Sequence, residues 1–174
     1  MDDTHNTKKI ILLDQDCKEV APTAKKERVV IDKEHWDFGD TQYDALYQFD
    51  VLQTRDKDAR CFDKMMQQVN RKINSYKQQD KTKNLFNPAV IVQNADVLSL
   101  LLQCECRCFY CRELVFVLYK NVREPKQWTL ERIDNDYGHN RDNVTIACLD
   151  CNVRRRTMYH ERYVFTKQLV VKKI

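Results

Sequence analysis

The chain has 174 residues, 43% of them hydrophobic and 32% charged, with a formal net charge of +4. That length holds one buried core, or a modest domain with an appended segment, and its apolar content excludes wholesale disorder. Only two glycines occur, Gly39 and Gly138, so no glycine-rich phosphate loop of the P-loop or dinucleotide type can be built.

The N-terminus lacks an apolar signal core, and runs such as Leu100–Leu102 are too short to span a bilayer. The expectation is an intracellular protein in a reducing compartment (cytoplasm, nucleus or virion) with no membrane partner. Residues 1–60 carry 10 Lys/Arg against 14 Asp/Glu, and the remainder 20 against 12. A basic C-terminal part points to a polyanion, with DNA the first expectation.

In chain order, Lys8–Asp14 and Glu27–Asp32 read as a strand pair, separated by a segment containing Pro22. Trp36, Phe38, Tyr43, Tyr47 and Phe49 form an aromatic stretch read as a packing layer or, alternatively, a protein-partner surface. From about Asp56 to Lys81, Phe62, Met65, Met66, Val69, Ile73 and Tyr76 recur at spacings of three and four, which predicts an amphipathic helix. Asn84–Pro88 interrupts it. Asn94 is expected to cap a second helix with an apolar stripe of Val97, Leu98, Leu101 and Leu102. The expected organisation is a mixed region over 1–56, a helical connector over 57–93 and a metal-held module over 94–174.

Six of the eight cysteines fall between 104 and 151. Two matched Cys-x-x-Cys pairs, Cys108/Cys111 and Cys148/Cys151, have the spacing with which tight turns aim two thiolates at one cation. Four sulfurs close a tetrahedron with no open position, which predicts a structural zinc. Cys106 is an alternative ligand to Cys108, while Cys17 and Cys61 read as buried thiols.

Between the pairs runs Glu131-Arg132-Ile133-Asp134-Asn135, then Gly138-His139 and Asp142-Asn143-Val144, followed by Cys148, Cys151 and Asn152. Over about residues 94–165 this resembles HNH endonuclease domains, in particular the phage and large-virus variety. The resemblance implies an α+β fold in which a helical and mixed N-terminal region precedes a zinc-bound treble clef, the ββα-metal module. It also implies hydrolysis of DNA phosphodiester bonds with Mg²⁺ or Mn²⁺.

In that family an Asp-His pair ends the first strand, the His acting as general base; here the pair is Glu131-Arg132, and an arginine stays protonated and cannot serve. His139 and Asp134 are the substitutes for the base. Glu131, Asp134 and Asn143 are expected to organise the divalent ion, with Asn143 alternatively bracing the preceding loop. Arg132, Arg154, Arg155 and Arg156 are expected on the phosphate backbone. Asn152 either binds metal or caps the helix it begins. The alternative reading is a catalytically inactive HNH-like module that binds nucleic acid or a protein partner in a viral or phage assembly. Val164, Phe165, Leu169, Val170 and Val171 predict a terminal element packing back on the core.

Overall fold

Helix α2, Ala59–Thr82, organises the molecule, because its period-four stripe of Cys61, Met65, Val69 and Ile73 is fully buried. The computed structural model describes residues 38–169; the expected strand pair, Trp36, Cys17 and residues 170–171 lie outside them. Over the described residues the fold is mixed α and β, with five α-helices and one two-stranded sheet.

Helix α1, Ala45–Gln53, starts where Asp44 accepts the Tyr47 amide, and α2 starts where Asp58 accepts that of Cys61. Asp58 also accepts from Gln42 and the Tyr47 hydroxyl. Gln48 is a buried polar side chain with its hydrogen-bonding capacity used: Oε1 accepts the amides of Val117 and Leu118, and Nε2 donates to the carbonyls of Leu118 and Gln42. It ties α1 to the segment preceding the sheet. Of the aromatic layer, Phe38, Tyr43, Tyr47 and Phe49 pack partly buried against the core.

Helix α3, Asn94–Gln103, buries Val97 and Leu101 as its stripe predicts. Its cap lies one residue earlier than expected. Gln93 occupies the N-cap position and its amide donates to Asp96, which leaves Asn94 as the first helical residue.

Strands β1, Trp128–Arg132, and β2, Val144–Cys148, pair antiparallel with Trp128 opposite Cys148 and Arg132 opposite Val144. Helix α4, Leu149–Arg155, follows β2 without a linker and packs on both strands. It begins before Asn152, and the cap is Cys148, whose sulfur accepts the Cys151 amide at 3.4 Å. Asn152 is therefore no cap.

Helix α5, His160–Gln168, docks through buried Tyr163 and half-buried Val164, whereas Phe165 and Leu169 face solvent. The expected terminal apolar element thus packs by a narrower stripe than its composition suggested. Its first residue, His160, accepts or donates a hydrogen bond with the Tyr110 hydroxyl at 3.0 Å and stacks on Phe109. One buried cluster includes residues from Val51 to Tyr163, so α1 and α2 share a core with the cysteine-rich region. No described helix is long and apolar enough to cross a membrane.

Candidate functional site

Cys108 sits in a tight knuckle, because its amide donates to the Glu113 carbonyl and its carbonyl accepts from Arg112. Arg112 has φ 62° and Arg107 bridges Leu114. The Phe109 amide donates to the Ile146 carbonyl at 2.8 Å and fastens the knuckle to β2. Cys148 ends β2, and Cys151 lies in the first turn of α4.

These elements bring the sulfurs of Cys108, Cys111, Cys148 and Cys151 within 4.8 Å of one another, a cluster that could hold a metal ion. Cys148 donates toward Cys108, which holds the Cys108 thiol well below its usual range and raises its own. Cys106 is fully buried outside this set, so Cys108 and not Cys106 joins the cluster. Cys61 is an inert core thiol, pushed up to about 12 by burial.

A groove runs between β1, α4 and the C-terminal end of α2. Lys83, Glu131, Arg132, His139, Asn152 and Arg156 line it. His139 is buried, with Nδ1 2.8 Å from Asp80 Oδ1 and its backbone amide donating to Asp80 Oδ2 at 2.7 Å. Burial lowers the His139 pKa below its usual value, and Asp80 opposes that shift. Near neutral pH the ring is therefore largely uncharged and able to accept a proton.

The other predicted residues divide between two roles. Asn143 is a brace: Oδ1 accepts the Asp134 amide, and Nδ2 donates to the carbonyls of Asp134 and Gly138. Asp134 is exposed, accepts the Asp136 amide and lines a different concavity, beside Tyr159 and Glu161. Glu131, His139 and Asn152 are thus brought to one groove, and Asp134 and Asn143 are not.

The arginine run divides as well. Arg155 is 2% exposed; it pairs with Glu131 and donates to the carbonyls of Arg132 and Ile133, so its guanidinium is spent inside the protein and cannot hold an external phosphate. Burial pushes the Glu131 carboxyl up, a push the Arg155 guanidinium opposes. Arg154 points outward in a pair with Asp150. Arg156 ends α4 at φ 52°, a conformation that favours glycine, yet presents an arginine to the groove. Arg132 donates to the carbonyls of Asn135 and Tyr137 and closes the loop.

Asp80, Tyr76 and Lys83 were missed in the sequence because they lie more than fifty residues from the loop they face; only the period of α2, which places 69, 73, 76 and 80 on one side, hinted at them. No protein-family model, curated protein or solved structure matches the chain.

Proposed function

We infer that this chain is an HNH-like nuclease whose fold is held by zinc in a treble clef. The sulfur cluster supports the metal: Zn–S bonds of about 2.3 Å set tetrahedrally would place sulfurs about 3.8 Å apart, and Cys111 and Cys148 are 3.9 Å apart. Four thiolates, three of them buried and Cys111 half-buried, suit zinc and leave no position for substrate, so its role is structural. Knuckle, hairpin and helix follow in the order that a treble clef requires.

The observation that carries the catalytic reading is a neutral, anchored imidazole in a groove rimmed by Lys83, Arg132 and Arg156. Cations on that rim suit a phosphodiester backbone, with arginine forks matching phosphate oxygens. His139 Nε2 accepts a proton from a water; the water oxygen bonds to phosphorus as the bond from phosphorus to the leaving oxygen breaks, and that oxygen takes up a proton from solvent. Arg132 is a cation at the position where the family has its base, and here it fixes the loop that carries His139.

Glu131 and Asn152 are the oxygen donors facing the groove that would hold a divalent ion. Arg155 engages Glu131 through Oε1, and Asn152 donates Nδ2 to Thr129, which leaves a second carboxylate oxygen and the amide oxygen. Such an ion supplies Lewis-acid stabilisation of the phosphate transition state. DNA is the proposed substrate.

The binding-only reading is favoured by one observation, the replacement of the family's base by Arg132. Incubating the metal-loaded protein with supercoiled plasmid in Mg²⁺, Mn²⁺ or EDTA, beside His139→Ala, separates the two. Nicking lost in the variant is expected; plasmid that is retarded on a gel but intact would establish the binding module instead.

A further inference from the structure

Asp80 is wholly buried near the C-terminal end of α2, and both of its carboxylate oxygens are turned to a single residue, His139, fifty-nine positions away. Tyr76, one helical turn earlier, stacks on the same imidazole with ring centroids 4.4 Å apart, while its hydroxyl accepts the Leu130 amide. The ring is therefore held at one edge and across one face by α2, and α2 is anchored to β1.

A carboxylate accepts and does not donate, so the nitrogen it meets must carry the proton. Oδ2 is occupied by the backbone amide, Oδ1 takes Nδ1–H, and Nε2 is left with its lone pair and no protein partner among the described residues. Gly138 permits this approach: a Cβ there would lie 2.9 Å from Asp80 Oδ2 and 2.5 Å from the Leu85 carbonyl oxygen.

We propose that Asp80 is the positioning residue of the groove, holding His139 with its proton on Nδ1 and Nε2 presented to the phosphate, so that α2 is part of the site. The chemistry assigned to Nε2 rests on the nuclease reading above; the tautomer and the ring's orientation do not. Lys83 of α2 and Arg132 of β1 disfavour a proton on the ring, and Glu131 and Arg156 line the same groove. Asp80, the carboxylate in hydrogen-bond contact with the ring, favours the imidazolium formed when Nε2 takes a proton, against Lys83 and Arg132.

The test uses the full, metal-loaded chain labelled with ¹⁵N-histidine, as wild type and as Asp80→Asn, with a thermal melt to establish that each is folded. The wild-type spectrum is expected to show the His139 tautomer protonated on Nδ1. In Asp80→Asn the His139 titration midpoint should fall by about one pH unit or more, as loss of an adjacent opposite charge requires. The acid limb of the plasmid-nicking rate should move with it, and kcat should drop at least about tenfold with KM nearly constant.

A wild-type ring protonated on Nε2 overturns the proposal without any variant, and so does an unmoved midpoint in folded Asp80→Asn. Wild-type protein that shows the Nδ1–H tautomer and the moved midpoint but never nicks DNA would reject the nuclease reading and leave the role of Asp80 standing.

Discussion

Arg155 closes on Glu131 inside the protein, joining the last residue of α4 to the end of β1, and its terminal guanidinium nitrogens also donate to the carbonyls of Arg132 and Ile133. Both side chains are nearly inaccessible. A buried pair of this kind adds little net stability compared with an apolar pair, but removing one partner strands the other charge. Arg155→Met should therefore destabilise the protein by about 3–5 kcal/mol, read as a lowered urea midpoint. The double variant Glu131→Leu/Arg155→Met should recover most of that loss. If the single variant is as stable as wild type, Arg155 is not the internal tie described here.

The cysteine cluster makes a prediction of different size. Cys148 serves the cluster and caps α4 through the Cys151 amide, so Cys148→Ser removes one of the four sulfurs of the proposed zinc site and weakens a helix start together. Zinc binding in modules of this type is worth about 10–16 kcal/mol apparent, comparable to a whole domain's stability. Cys148→Ser, or treatment with a strong chelator, should abolish the cooperative melt of the β1–β2–α4 region, and native mass spectrometry should show one zinc lost. Cys106→Ser should retain the ion. A chain that binds no metal and melts identically in chelator would remove zinc from the fold.

How far the sequence reached can be judged from the same residues. The cluster was legible because ligand spacing is local: a Cys-x-x-Cys turn places its sulfurs by backbone geometry alone. Helices α2 and α3 were legible because amphipathic periodicity is also local: of their predicted stripes Met65, Val69, Ile73, Val97 and Leu101 are buried, and Phe62, Met66, Tyr76, Leu98 and Leu102 pack half-buried beside them. Arg155 was not. Three consecutive arginines look alike in a sequence, yet successive residues on a helix point about 100° apart, so Arg154 meets solvent and Arg155 the core, while Arg156 leaves the helix at φ 52° and lines the groove. The pairing of His139 with Asp80 was illegible for another reason, since it depends on tertiary packing of α2 against a loop that shares no local pattern with it.

Gly138 carries a prediction that its backbone angles do not suggest, because it has no positive φ. What it lacks is room, with the Leu85 carbonyl oxygen 2.5 Å and Asp80 Oδ2 2.9 Å from where a Cβ would stand. The carbonyl belongs to backbone and cannot turn aside, so Gly138→Ala must shift the loop or the end of α2. Overpacking of this kind costs about 1–3 kcal/mol. The thermal midpoint should fall accordingly, and nicking should fall further than the lost stability explains, because the shift moves Asp80 off His139. An alanine variant with wild-type melting and wild-type nicking would mean that the contact is loose.

The groove rim gives the sharpest distinction between the cations of the C-terminal region. Lys83 and Arg156 are exposed and line the groove, and their side chains have no hydrogen-bond or ion-pair partner among the described residues, whereas Arg154 is paired with Asp150 and Arg155 is internal. Each phosphate neutralised on duplex DNA contributes about 0.9 to the slope of log affinity against log salt. Lys83→Ala and Arg156→Ala should each reduce that slope by about 0.9, measured by fluorescence anisotropy with a short duplex between about 50 and 200 mM salt. Arg154→Ala should change it by less, since its guanidinium must leave Asp150 to reach a phosphate. Equal effects at 154 and 156 would place the backbone along the outer face of α4, and an unchanged slope in all three variants would mean that DNA does not lie in this groove.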